Sequence, residues 1–162
     1  MHKTAYSPLY TNDVTSEYLR DLDRPPFSEE ALTTFSPAAL AQVRESEAYK
    51  QAHPCTGIFR VAAEGSQTRD GGVIVRGTLG VEFRLADGRE VAGARVGDCA
   101  VYPDGTEAQV VTGAGKANSQ MALVGSRLSN GDVIISTPQG SLLLLQRKDV
   151  AWPDDFLSDV EN

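Results

Sequence analysis

The sequence predicts a mainly β protein built from short hairpins, with an N-terminal helical extension. Three observations carry that reading. All 15 glycines fall between Gly57 and Gly140. The pairs Asp87-Gly88, Asp104-Gly105 and Asn130-Gly131 punctuate this stretch, and such residues tolerate the positive φ of tight hairpin turns. The segment from Met1 to Thr56 instead carries helix-capping residues and no glycine. The expected organisation is a helical extension over 1–56, a β domain over 57–150 and an acidic C-terminal tail over 151–162.

The extension reads as three helical pieces. Asn12 or Asp13 can cap the first, where Val14, Tyr18 and Leu22 recur on one face until Pro25-Pro26 ends it. Ser28 can cap a second, with Glu29 and Glu30 in its first turn. Ser36-Pro37 opens a third that runs to about Ala52. Its apolar face is thin, Leu40 and Val43 followed by Glu47, so it is expected to lie on a surface. The extension is expected to be dispensable for the β domain.

Four β-type runs follow: Val73–Val75, Val81–Leu85, Ala108–Val111 and Val133–Ile135. The second alternates apolar and polar residues, the pattern of a half-buried strand, and runs through Asp87-Gly88 toward Val91. Turns this closely spaced predict many short strands. Leu142–Leu145 does not alternate and reads as a strand buried on both faces or docked on a partner.

Composition narrows the function. With 15 basic and 22 acidic residues the net charge is −7, which gives no long-range attraction to nucleic acid or anionic lipid. Two cysteines, Cys55 and Cys99, and two histidines cannot build a four-cysteine zinc site or a disulfide scaffold. No apolar run reaches a membrane span, and Met1–Tyr10 has no apolar core, so no secretory signal is expected.

The chain also repeats against itself. Ala94-Arg95-Val96-Gly97-Asp98 is echoed further along by Ala122-Leu123-Val124-Gly125-Ser126, and Gly65-Ser66 resembles a third copy. Shortly after each Gly-Asp or Gly-Ser pair, at the same offset, stand Asp70, Tyr102 and Asn130. The physical reading is one supersecondary unit used about three times.

These residues resemble the PAAR-repeat family, named for a Pro-Ala-Ala-Arg motif, over Gly57–Leu145. Gly57–Val61 is similar to its opening strand, and Thr68-Arg69-Asp70-Gly71-Gly72-Val73-Ile74 to its T-x-H-G-G-x-V turn. Asp87-Gly88-Arg89-Glu90-Val91-Ala92 is similar to x-G-K-P-V-A, and Ala94–Asp98 to A-R-x-G-D. Val101-Tyr102-Pro103-Asp104-Gly105 matches V-x-C-P-x-H-G in part, and Asn130–Ser136 resembles C-G-x-x-L-I-S. The resemblance implies a small conical domain that caps a trimeric β-spike of a type VI secretion system or related contractile tail. It implies one copy per trimer, a monomer when alone, and transient membrane contact as a puncturing tip. It also implies a bacterial cytoplasmic location before firing and export afterwards. The family holds zinc through His and Cys. Asp70, Tyr102, Asp104 and Asn130 occupy those positions here, so neither metal nor other cofactor is expected.

No catalytic residue is assigned, and the chain is expected not to be an enzyme. His53-Pro54-Cys55 reads as the linker from helix to strand, and Cys99 as a small buried hydrophobe. Asp98 reads as an acceptor of backbone N–H bonds in a turn. Gly113-Ala114-Gly115-Lys116 lacks the full spacing of a phosphate loop and reads as a flexible loop. Asp70, Asp104 and Asp132 read as solvated turn carboxylates, or as a cation site if the repeat brings three turns together. An effector or chaperone bound by residues 1–56 is compatible with this reading. The alternative is a small-molecule or sugar-binding β-barrel module, which the low aromatic content of 7% disfavours.

Overall fold

Three hydroxyl side chains start the three helices. Thr15, Ser28 and Ser36 accept the N–H groups of Tyr18, Ala31 and Ala39 at 3.0, 3.1 and 3.2 Å. They cap α1 (Ser16–Leu22), α2 (Glu29–Leu32) and α3 (Pro37–Ala52). Neither Asn12 nor Asp13 is the first cap. Thr15 takes that role, because its oxygen lies three positions before the free N–H it fills. None of these helices is long and apolar enough to cross a membrane. These features come from a computed structural model, which describes residues 8–158. Asp159 and Glu161 of the acidic tail, and most of the Met1–Tyr10 stretch, lie outside the described residues.

The strands are short, as the turn spacing predicts. They are β1 (Cys55–Arg60), β2 (Gln67–Thr68), β3 (Val73–Ile74), β4 (Glu82–Arg84), β5 (Glu90–Ala92), β6 (Cys99–Val101), β7 (Glu107–Gln109), β8 (Ile134–Ser136) and β9 (Leu143–Arg147). The protein is mainly β. Two compact units divide the described chain. A helical unit takes residues 13–58 and 145–151, and a β unit takes residues 8–12, 59–144 and 152–158. The units therefore do not follow the glycine boundary. Segments on both sides of the glycine-rich stretch fold with the β unit, and the chain after Leu144 returns to the helical one.

Within the helical unit, α3 has no buried residue, and only its Ala39, Leu40, Val43, Glu47 and Lys50 are half-covered. Asp23 ties the unit together: its carboxylate accepts the Cys55 N–H at 2.9 Å and pairs with Arg147 at 2.9 Å. The Leu142–Leu145 run is not buried on both faces. It enters β9, which pairs with β1, and its four leucines are half-buried.

In the β unit the repeat is real and extends to individual hydrogen bonds. Gly65, Gly97 and Gly125 each have φ near +100°, at 93°, 99° and 108°. The following Ser66, Asp98 and Ser126 each return a side-chain oxygen to the N–H three positions back, at 2.9 Å in all three copies. Each copy then closes a hairpin: Ile74, Val110 and Ile134 donate to the carbonyls of Ser66, Asp98 and Ser126, all at 2.9 Å. The middle hairpin spans Asp98 to Val110 where the others span Ser66 to Ile74 and Ser126 to Ile134, so it is the longest of the three.

Three pairings join the hairpins in a ring. β3 pairs with β6, Val110 with Leu128, and β8 with β2. Behind them, Ala62 donates to Ala122, Ala122 to Ala94 and Ala94 back to Ala62, at 2.8, 3.0 and 2.9 Å. This closed triangle defines a pseudo-threefold axis, and all three alanines are fully buried. A larger side chain there would separate the backbones. Ala62, Ala94 and Ala122 pack with Ile74, Val110, Val124, Leu128 and Ile134 inside the hairpin ring. The alternate positions Val61, Ala63 and Leu123 join a second cluster with Phe83, Leu85 and Val91. Phe83 and Leu85 are thus the inward residues of the alternating run, while Val81 is 43% exposed.

Two expectations are corrected here. Gly113-Ala114-Gly115 is buried rather than a flexible loop, with Ala114 in the second cluster. The chain after Trp152 is more than an acidic tail. Trp152 stacks on Phe156 at 4.0 Å, both rings lie edge-on to Phe59, and Leu157 N–H donates to Gly113 at 2.7 Å.

Candidate functional site

The hairpin tips bring together part of the expected set. Structural equivalence pairs Asp70-Gly71, Asp104-Gly105 and Asn130-Gly131 as the three tips, each closed by a glycine of φ 94°, 87° and 87°. Tyr102 is not a tip residue. The longer middle hairpin places it at the position of Thr68 and Leu128, where each residue's N–H donates across the turn.

Asp132 is the centre of the arrangement, with no exposed surface. The Tyr102 hydroxyl donates to its Oδ2 at 2.5 Å, and the N–H groups of Val133 and Asp70 donate to Oδ1 at 2.8 and 3.2 Å. Asn130 joins from both ends. Its amide donates to the Tyr102 oxygen at 3.0 Å, and its carbonyl oxygen accepts the Asp132 N–H at 3.0 Å. Arg69 stands 3.9 Å from Asp132 and donates to Gly131 O at 3.3 Å. All three repeats are thereby linked: Arg69 and Asp70 from the first, Tyr102 from the second, and Asn130 and Asp132 from the third.

The electrostatics follow from these partners. Burial alone would push the Asp132 carboxyl up, but hydrogen bonds from Thr68, Tyr102, Val133 and Asp70 hold it below the ordinary carboxylate value. Burial, and then the carboxylate of Asp132, push the Tyr102 phenol up. The pair therefore holds its proton on the phenol and its charge on Asp132.

Asp104 stays apart. It accepts the Thr106 N–H and hydroxyl at 3.0 and 2.7 Å within its own turn, and these bonds lower its pKa. The Asp70 side chain is solvated and pairs with Arg69 at 3.1 Å. Asp132 is a buried anchor, not a solvated turn carboxylate. Among the described residues no three His, Cys, Asp or Glu side chains converge to hold a metal ion. The donors that do meet are one carboxylate, a phenol and a carboxamide, a set that does not fit zinc. What they can do is cross-link the three hairpins.

The remaining candidates are structural. Asp98 accepts the N–H groups of Arg95 and Thr78, both at 2.9 Å, and the Thr78 hydroxyl at 2.6 Å. His53 ends α3, with Nδ1 2.9 Å from the Lys148 carbonyl and its ring against Tyr49. Burial pushes the thiols of both Cys55 and Cys99 up, the opposite of a reactive thiolate. Cys99 is half-exposed on β6 rather than fully buried. Thr68 is the site residue least visible in the sequence, and Asp132 shows there as a turn carboxylate and not as a buried centre. The signal available for Asp132 is its place two positions after Asn130, where an Asx side chain commonly accepts the N–H two positions on.

Comparison with protein-family models, curated proteins and solved structures gave no match.

Proposed function

We propose that this chain is a non-enzymatic spike-tip protein that caps a trimeric β-spike of a type VI secretion system or related contractile tail. The observation that carries the reading is the closed triangle of Ala62, Ala94 and Ala122, around which one chain presents three equivalent units. A homotrimer ends in three identical strands about an axis. A single chain meets all three alike only if it repeats its own surface about that axis. The resemblance of Gly57–Leu145 to PAAR repeats supports the same partner.

Rigidity is the mechanism. Short strands and tight turns leave few freely rotating bonds, and the network around Asp132 ties the three hairpins together where the family uses zinc. One copy binds per trimer, the free protein is a monomer, and the tips lead during membrane puncture. The protein waits in the bacterial cytoplasm and leaves through the apparatus. Residues 1–56 are the proposed contact for an effector or chaperone, consistent with an α3 that buries none of its residues. The small-molecule or sugar-binding barrel has less support, because ten apolar side chains fill the interior of the hairpin ring.

The test is co-expression with the trimeric β-spike protein encoded nearest to its own gene. The reading predicts that the two co-elute as a complex stable to gel filtration. Separate elution at micromolar concentrations would overturn it.

A further inference from the structure

Beyond their hairpins the three repeats pass through three more equivalent positions, Gly77, Gly113 and Thr137. Each lies three positions after the hairpin-closing Ile74, Val110 and Ile134. All three run against equivalent backbone. A Cβ on Gly77 would stand 2.3 Å from the Gly93 oxygen, and one on Gly113 would stand 2.8 Å from the Met121 oxygen. At the third position the Thr137 hydroxyl donates to Val61 O at 3.1 Å.

Their other partners differ. Thr137 exchanges two backbone hydrogen bonds with Tyr10 of the N-terminal arm, at 2.8 and 2.9 Å. The Gly113 carbonyl accepts the N–H of Leu157 from the C-terminal strap at 2.7 Å. No backbone group among the described residues pairs with Gly77. Its N–H donates to the Glu64 side chain at 3.0 Å. Gly77 lines an open groove of about 600 Å³ with Arg76, Thr78, Val81 and Glu82. Within it, Val81 is 43% exposed.

We infer that the Gly77 edge is a docking site for an extended peptide segment of a partner protein. It would add there as the Tyr10 arm adds at the equivalent Thr137 edge, whereas the occupant at Gly113 is a turn, with Leu157 at a φ of 53°. The chain's own occupants define the chemistry of the third. Each supplies a backbone N–H to the equivalent carbonyl. Each also carries an aromatic or aliphatic side chain: Tyr10, over which the Arg60 guanidinium lies at 5.1 Å, and Leu157, which packs in the second cluster. On the pattern of the Tyr10 arm the partner segment is extended, with an aromatic or aliphatic residue set against Val81. Strand addition draws affinity from main-chain bonds and selectivity from alternate side chains. Arg76 and Glu82 place both signs of charge in the groove, so the segment needs no strong net charge. This site lies beyond the spike-tip reading and does not rest on it.

The probe is a terminally blocked peptide Pro-Leu-Tyr-Thr-Asn, which copies residues 8–12. It is titrated into the isotope-labelled full chain while backbone amide shifts are followed. A lone short strand should bind with a Kd on the order of 1 mM. The expected result is saturable shifts over residues 76–82, weakened at least about tenfold by Val81→Lys or Val81→Glu with an unchanged melting temperature. Three results would overturn the inference: no saturable shifts over 76–82, equal shifts in both variants, or shifts confined to the surroundings of Thr137.

Discussion

A carboxylate with no exposed surface is tolerable only when donors fill its oxygens, and Asp132 receives them from all three hairpins. Tyr102→Phe removes the shortest of these bonds while keeping the ring packed. It should cost about 2 kcal/mol in urea denaturation, the scale of a hydrogen bond to a charged group. The pH dependence has a definite sign. The Asp132 carboxyl is held below its ordinary value of about 3.9, so its stabilisation is present above that pH and lost as pH falls through the folded value. Asp132→Asn should therefore lose less stability than the parent between neutral and strongly acid pH, read from urea midpoints across that range. The site is half legible in the sequence. Asp70, Tyr102, Asp104 and Asn130 look equivalent there because each stands near a turn glycine. The lengthened middle hairpin moves Tyr102 off the tip and leaves Asp104 alone, and a length change between repeats is invisible to motif matching. Asp132 looks like a surface turn residue because burial by two other hairpins is not a local property.

At the scale of elements, caps are the most legible feature because capping is local. Ser28 and Ser36 start α2 and α3 as their sequences imply. The first cap differs because Asn12, Asp13 and Thr15 are all capping residues within one turn of each other, and Asn12 is engaged elsewhere. Its amide donates to Val124 O at 2.8 Å and its oxygen accepts the Arg60 N–H at 2.9 Å, tying the N-terminal arm to two repeats. Asn12→Ala should cost about 2 kcal/mol, leaving an N–H and a carbonyl without their partner. It should also speed protease cleavage within the arm, measured by limited proteolysis. The arm and the strap at Trp152–Leu157 are not legible, since both depend on partners far away in sequence. Phe59 opens the long middle segment of the β unit, and Phe156, the ring it meets edge-on, lies in its last segment. The expectation that the whole extension over 1–56 can be removed without loss now applies to residues 13–56 alone, because residues 8–12 belong to the β unit.

For the whole molecule, the pseudo-threefold is present in the sequence as a weak repeat. Gly97 and Gly125 stand closer together along the chain than Gly65 and Gly97, because the β4–β5 hairpin lengthens the first connection more than the longer hairpin lengthens the second. What no spacing could reveal is the closure of Ala62, Ala94 and Ala122, a contact among three distant small residues. If tip rigidity comes from hydrogen bonds, the purified protein should contain no stoichiometric zinc. Elemental analysis after dialysis against a chelator should find far less than one equivalent, and one retained zinc per chain would contradict the hydrogen-bonded account of tip rigidity. The central claim is that one chain imitates a threefold partner. Native mass spectrometry of the complex with the trimeric β-spike protein tests it most directly. The account predicts the mass of the spike trimer plus one chain of 17.3 kDa, and a complex carrying three such chains, or none, would contradict it.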